Sequence, residues 1–218
     1  MEDSFFGSLF SPIESLLSLV LGSLYSITSS YGLAIIILTI IIKIVLYPLT
    51  VKQIKSMKAM QELQPKIQKL QEKYKDNPQM AQQKLMEMYQ TAGVNPLAGC
   101  LPLLVQMPIL MGMYYALFNF DYGGATPTFA WLPSLSEPDP YYILPILSAL
   151  TTYFQSKMTA TGEMTQQMKI MTTVMPLFIG FISLNFPSGL VLYWVTMNCV
   201  QIIQQWWLYR RNSDTKPA

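Results

Sequence analysis

One residue places a charge in an otherwise apolar setting. Lys43 lies within AIIILTIIIKIVLYPLT, a stretch from Ala34 to Thr50 that is apolar almost throughout and long enough to cross a bilayer. A charge buried in a membrane helix is expensive, at about 2.5–3.5 kcal/mol on insertion scales, and marks a functional site by default. The chemistry of such a site would be electrostatic: a cation there attracts acidic groups and is screened less than on a surface.

Two interpretations of Lys43 remain open. The residue lies seven positions before Thr50, roughly 10 Å along a helix, so its stem could carry the charge to the headgroups. Alternatively, polar side chains in three apolar segments line a shared hydrated cavity that opens to the cytoplasm. Those side chains are Thr39, Gln106, Thr196, Asn198 and Gln201. A simpler reading is that these amides only join helix to helix. No carboxylate occurs within an apolar segment, so Lys43 has no fixed counter-ion.

The composition indicates an all-α integral membrane protein. Of 218 residues, 51% are hydrophobic and 12% charged, and the mean hydropathy is +0.31, whereas soluble domains are about 25% charged. The net charge of +2 gives no reason to expect nucleic-acid binding. There is no histidine, and the two cysteines, Cys100 and Cys199, suggest small core residues. Without a phosphate-binding glycine loop, catalytic triad or metal-ligand spacing, we expect no enzyme activity, metal or cofactor.

Five spans follow from the apolar segments. An N-terminal stretch, 1–30, is short for a span in its apolar part and predicts an amphipathic helix lying in the membrane interface. A sixth span is the alternative for this stretch. The predicted spans are 31–50, 96–119, 141–157, 170–186 and 190–208. An extracytoplasmic loop, 120–140, a cytoplasmic loop, 158–169, and a cytoplasmic tail, 209–218, complete the chain.

A polar segment, 51–95, predicts a cytoplasmic helical hairpin. Its apolar residues recur at helical intervals, and KDNPQ breaks the pattern, with Asn77 as a cap and Pro78 at the first helical position. Gly93 closes the hairpin, while Asn95 and Pro96 begin the second span.

The basic residues predict the orientation. Apart from Lys43, every lysine and arginine lies in the hairpin, the 158–169 loop, its border at Lys157, or the C-terminal end. The segments expected on the opposite side contain no basic residue. By the positive-inside rule, the N-terminus is outside and the C-terminus inside the cell membrane.

Three long motifs resemble the YidC/Oxa/Alb family of membrane protein insertases. They are KIVLYPLTVKQIKSMKAMQELQPKIQKLQEKY, YQTAGVNPLAGCLPLLVQMPILMGMYYAL and NFPSGLVLYWVTMNCVQIIQQWWLYRR, and the similarity covers about residues 30–211. The chain looks like the compact bacterial form, with five spans and without the large extracytoplasmic domain of Gram-negative relatives.

The resemblance implies a hydrophilic groove that is open to the cytoplasm and closed toward the outside. The family's single basic groove residue is usually arginine; here Lys43 matches it, and lysine is a point charge rather than a planar fork. Thr39 and Gln106 match groove-side positions, and Tyr193 and Trp194 match aromatics that contact a sliding substrate helix. Plain interface anchoring is the alternative for these aromatics. Asn198 and Gln201 complete the predicted groove.

The sequence thus predicts a passive insertase that moves nascent transmembrane segments into the bilayer. Its expected partners are nascent membrane proteins and the lipid bilayer, with the ribosome and the Sec translocon as further candidates. A small ion channel or transporter with Lys43 in its pore is one alternative, although the internal repeats common in transporters are absent. A membrane-anchored scaffold that works through its hairpin is another.

Overall fold

The computed structural model describes residues 5–93, 101–118, 127–159 and 166–213. Within these residues the regular secondary structure is α-helical, apart from one isolated bridge between Phe129 and Leu132. The helices of this part of the chain are α1 (Phe5–Thr28), α2 (Tyr31–Val45), α3 (Tyr47–Lys73), α4 (Pro78–Thr91), α5 (Leu101–Phe118), α6 (Ile143–Thr159), α7 (Gln166–Ser183) and α8 (Ser188–Ser213). The predicted all-α fold is confirmed.

The predicted first span, 31–50, is divided in two. Helix α2 ends at Val45, α3 begins at Tyr47, and the two helices are bent by 65°. Pro48 gives the physical reason, because it has no N–H to donate to the carbonyl of Ile44 and its ring crowds that carbonyl. Pro48 itself lies in the first turn of α3, where proline is tolerated.

Helix length does not settle the number of spans. Taken singly, no helix in the described ranges is both long and apolar enough to cross a bilayer, and only the bent pair α2–α3 meets that criterion when counted together. Shorter apolar segments occupy Val105–Leu117 and Thr172–Ser183. The predicted second-span start at Asn95 and Pro96 lies outside the described residues, so five spans remain a prediction.

The helices pack in two groups that meet along α2 and α8. In the first, α1 packs against α2 and α5; in the second, α6 packs against α7 and α8. Glycines permit close approach in both groups: a side chain at Gly112 would meet Ile13, and one at Gly180 would meet Ala149. Helix α1 contributes Leu21 to the core. The N-terminal segment is thus helical in its described part, whereas its interfacial position remains a prediction.

The outer faces of the bundle are strongly apolar. Large side chains with more than 60% exposure include Leu19 on α1, Ile44 on α2, Leu177 and Phe181 on α7, and Ile203 on α8. Apolar surface this extensive is unusual for a soluble monomer and typical of a membrane or protein contact.

Local signals define the hairpin formed by α3 and α4. The Asn77 side chain accepts a hydrogen bond from the Met80 backbone N–H at 3.1 Å, and Pro78 occupies the first turn, as predicted. Gly93 follows α4 with φ +65°, a left-handed conformation that suits glycine. Helix α4 buries no residue, whereas α3 buries Ile54 and Ile67 and its Gln61 side chain donates to the Thr159 carbonyl of α6.

A loop, 127–142, fixes the ends of α6 and α8. The Asp139 carboxylate accepts hydrogen bonds from the backbone N–H groups of Tyr141 (3.0 Å) and Leu144 (2.7 Å) and so caps the start of α6. At the start of α8, the Ser188 hydroxyl donates to the Ser134 carbonyl at 2.7 Å. The Ser188 contact anchors α8, the helix that carries most of the predicted groove residues.

Candidate functional site

Helix α8 is the element that organises the site. Its polar residues 194, 198, 201 and 205 recur at intervals of four and three, so they share one helix face. Around them pack α2 on one side, α6 on another and α5 toward the start of the helix. Of these four side chains, Gln201 contacts α2 and the other three contact α6.

Lys43 lies in the last turn of α2 and is turned toward α8. Its side chain is largely buried, with 9% exposure for the whole residue, and Nζ donates to Oε1 of Gln201 at 2.9 Å. The backbone carbonyl of Lys43 accepts a hydrogen bond from Nε2 of Gln204 at 3.3 Å. We call Lys43, Gln201 and Gln204 the α2–α8 seam. A snorkelling lysine would keep its charged head in water, whereas this one lies between two helices.

Among the described residues, neutral groups face the charge of Lys43. It makes no ion pair with any residue in the described ranges. Gln201 contributes one amide oxygen, and the C-terminal end of α2 contributes the partial negative charge of the carbonyls in its last turn. An ammonium with three donors and one side-chain acceptor retains capacity for a further acceptor.

Thr39 lies one turn before Lys43 but uses its hydroxyl within its own helix. Its Oγ1 donates to the Ile35 carbonyl at 2.7 Å, and the residue is 1% exposed. The predicted groove-side position is therefore enclosed in the packed bundle.

Gln106 and Tyr193 join α5 to α8. Nε2 of Gln106 donates to the Tyr193 hydroxyl at 2.7 Å, and Tyr193 is 1% exposed. This burial matters for the predicted role of Tyr193, because a sliding substrate helix can touch its ring only if neighbouring helices move apart.

A second polar contact joins α8 to α6. The indole N–H of Trp194 donates to Oγ1 of Thr152 at 3.1 Å, and Nδ2 of Asn198 donates to the hydroxyls of Thr151 (3.2 Å) and Thr152 (2.9 Å). Two turns after Asn198, Nε2 of Gln205 donates to the Met158 carbonyl at 3.2 Å. These residues form the α6–α8 seam. All of its groups are uncharged, which fits helix-to-helix joining.

The structure thus distributes the seven predicted site residues over several contacts. It pairs Lys43 with Gln201, Gln106 with Tyr193, and Trp194 with Asn198 through Thr152. In the described part of the chain no hydrogen bond connects one of these three contacts with another, and Thr39 bonds only within α2. Sequence reasoning missed Thr151 and Thr152 as partners, although two adjacent threonines inside the predicted third span were a usable signal.

An apolar cleft of about 420 Å³ lies between α5, α7 and α8. Gln106 and Ser183 are its polar lining residues, and Trp194 forms part of its wall. The other lining residues are Met107, Leu110, Met111, Tyr114, Ile179, Ile182, Phe186, Leu190 and Val191. No sequence pattern indicated this cleft, because its aliphatic residues are of the same types as those that pack in the core.

No cluster of three or more metal-binding side chains occurs among the described residues. Cys199 is a free, exposed thiol, so the expectation that it is a core residue is wrong. Cys100 lies outside the described ranges. The arrangement offers a buried cation, hydrogen-bonding amides and an apolar cleft, which suit binding and electrostatic attraction.

Known proteins resemble this chain over most of its length. A family model described as "60Kd inner membrane protein" matches residues 23–216. "Membrane protein insertase YidC" of Francisella philomiragia is 39% identical over 196 residues, and that of Haemophilus ducreyi is 46% identical over 189. These alignments cover 90% and 86% of this chain but 35% of each relative, so the chain spans about a third of their length.

The fold also has a solved counterpart. A structure described as "Active YidC insertase crystal structure with the first transmembrane domain resolved" superposes with a TM-score of 0.69 at 30% sequence identity. The match covers 92% of this chain and 46% of that one.

Proposed function

Because the chain belongs to the 60Kd inner membrane protein family, we propose that it is a membrane protein insertase, which moves nascent transmembrane segments from the cytoplasm into the bilayer. The observation that carries the proposal is the Lys43 ammonium, buried between α2 and α8 with an uncharged side-chain partner. Burying a charged side chain in an apolar bundle costs more free energy than burying an apolar one. We therefore attribute the presence of Lys43 to function.

The proposed role of Lys43 is to attract the acidic, outer part of an incoming segment. At 4 Å, two opposite charges attract by about 1 kcal/mol in water and about 4 kcal/mol at an effective dielectric constant of 20. A hydrated groove lies near the lower of these values. Gln201 holds the ammonium in place until a carboxylate replaces its amide oxygen.

The apolar part of the segment would leave through the cleft between α5, α7 and α8. Burial in lipid supplies the driving force, at about 25 cal/mol per Å² of apolar surface removed from water. A helix about 10 Å in diameter and 30 Å long is larger than the 420 Å³ cleft, so α5 and α7 must separate to admit it. That movement would also give the segment access to Tyr193.

The proposed setting is the bacterial inner membrane, with five spans, the N-terminus outside and the C-terminus inside. Nascent membrane proteins and lipid are the proposed partners; the ribosome and the Sec translocon are candidates for delivering substrates. In this proposal the protein binds a nascent segment and transfers it to lipid without nucleotide hydrolysis or another chemical step.

Site-specific photocrosslinking tests the path. A photoreactive residue at Gln106 or Trp194 should crosslink to a stalled nascent chain in vesicles, because both line the cleft. The matched control is Ile203, which lies on α8 but is 64% exposed on its outer face. Equal crosslinking from Ile203 would show that the chain meets lipid-exposed α8 without entering the cleft. Ion flux without insertion would indicate a channel, and neither activity would indicate a scaffold.

Cysteine accessibility tests the orientation. In a Cys199→Ser background that also lacks Cys100, an impermeant maleimide added to intact cells should label cysteine at exposed Ser136 but not at exposed Gln79. Labelling of Gln79 would overturn the proposed topology while leaving the family membership untouched.

A further inference from the structure

Gln204 contacts Lys43 at its backbone rather than at its charge. Its Nε2 donates to the Lys43 carbonyl at 3.3 Å, while Gln201, one helical turn earlier on α8, accepts from Lys43 Nζ at 2.9 Å. Helix α8 therefore contacts the lysine at two points, the side-chain ammonium and the backbone carbonyl.

The contacted carbonyl belongs to the last turn of α2. The last four carbonyls of a helix have no donor within that helix, and α2 ends at Val45 because Pro48 interrupts the chain of hydrogen bonds. The 65° bend between α2 and α3 follows immediately. Gln204 thus supplies a donor where the bend leaves a carbonyl unpaired, and it ties the end of α2 to α8.

Packing alone does not explain a glutamine at this position. The Oε1 atom of Gln204 is enclosed and accepts no hydrogen bond from any described residue. Burying an amide oxygen without a donor is unfavourable, and an apolar side chain of similar size would avoid that cost.

We infer that Gln204 is a positioning residue for Lys43: by holding the carbonyl at the bend, it keeps the ammonium directed at Gln201 and at the path of an acidic substrate segment. This inference rests on the proposed insertase function and adds to it a residue that acts through Lys43. Gln204 itself does not touch the substrate.

The chain offers a closely matched control in the next residue. Gln205 is also a glutamine of α8, and its Nε2 donates to the Met158 carbonyl in the last turn of α6 at 3.2 Å. It differs in reaching α6 instead of Lys43 and in donating to the Tyr209 hydroxyl as well. Gln204→Leu and Gln205→Leu therefore each remove a bond to a helix end, but only the first should affect Lys43.

The primary readout is acid preference, defined as insertion of a single-span substrate with an acidic outer segment divided by insertion of the same substrate with those acids changed to amides. In vesicles containing the protein, Gln204→Leu should lower this ratio about five-fold, the effect of losing one ordinary hydrogen bond. Gln205→Leu should leave the ratio unchanged. In a Lys43→Leu background, Gln204→Leu should have no further effect on the ratio.

A second readout does not depend on insertion. The rate at which an amine-reactive ester acylates Lys43, followed by mass spectrometry, should rise about five-fold in Gln204→Leu and stay unchanged in Gln205→Leu. If wild-type protein inserts neither substrate but this rate still responds, the insertase proposal fails and the positioning role stands. Unchanged acylation and acid preference in a folded Gln204→Leu protein would reduce Gln204 to a helix-joining residue and overturn the inference.

Discussion

The two seams of α8 use similar hydrogen bonds but differ in what they bury. In the α6–α8 seam, the amide of Asn198 and the indole of Trp194 meet threonine hydroxyls, and no charge is present. In the α2–α8 seam, the same kind of amide faces the Lys43 ammonium. Neutral amide contacts are ordinary joints between membrane helices, whereas a buried charge marks function. Polar residues on one helix can therefore have different roles, decided by the neighbour they meet.

Charge reversal at Lys43 should give the largest effect. Lys43→Glu replaces attraction of an acidic segment by repulsion, each about 1 kcal/mol in a hydrated groove, so insertion of acidic substrates should fall about thirty-fold. Lys43→Arg keeps the charge and is the control. Insertion rates in vesicles check this, and an active Lys43→Glu protein would remove the functional difference between the seams.

Loss of the ammonium's acceptor should come next. Gln201→Leu leaves a buried charge without its side-chain partner and should lower the free energy of unfolding by about 2 kcal/mol. Adding Lys43→Met should recover most of this stability, because no charge is then left unpaired. Denaturation in detergent measures both variants, and failure of the second change to rescue the first would mean that Gln201 stabilises the bundle by packing.

The neutral seam should be less sensitive. Asn198→Leu removes two bonds that average about 0.6 kcal/mol each between membrane helices, so we expect a loss of about 1 kcal/mol. The substitution also removes the buried Oδ1 of Asn198, which accepts no hydrogen bond from any described residue. Removing this unpaired oxygen offsets part of the lost stability. Acid preference should be unchanged. A fall in acid preference comparable to that caused by Lys43→Leu would show that Asn198 acts on the substrate together with Lys43.

Substitution of an exposed lysine should have the smallest effect of the four. Lys84 pairs with Glu87 at 2.7 Å on the surface of α4, and this pair raises the pKa of Lys84 above its ordinary 10.5. Any stability from the pair is thus present at neutral pH and lost as the pH rises through the raised pKa. Lys84→Gln should cause no measurable change in unfolding or insertion at pH 7, because exposed pairs contribute little. A clear defect would assign the hairpin a charge-dependent role.

Local signals in the sequence were sufficient for much of the fold. The predicted helix start at Asn77 and Pro78 depends only on adjacent residues, and the structure confirms it. Gly93 was predicted to close the hairpin, and it follows α4 with a positive φ. The division of the predicted first span into α2 and α3 was not predicted, because a proline such as Pro48 is compatible with either the end of a helix or the first turn of a new one.

The site was only partly predictable for the same reason. Sequence pattern identified Lys43 and Gln201 as polar residues in apolar helices, and the structure joins them across 158 positions. It gave no indication that Tyr193 is enclosed or that Asn198 faces α6 instead of Lys43. Periodicity places a residue on a helix face, whereas the choice of neighbour is a property of the assembled bundle.

The central claim, that Lys43 acts on substrate through its charge, is tested most directly by a double-mutant cycle between Lys43 and one carboxylate in the outer segment of a single-span substrate. Insertion in vesicles would be measured for wild-type protein and Lys43→Leu, each with the acidic substrate and its amide variant. The account predicts a coupling of about 1 kcal/mol, or about five-fold in insertion. Zero coupling across several acidic substrates, together with wild-type insertion by Lys43→Leu, would contradict it.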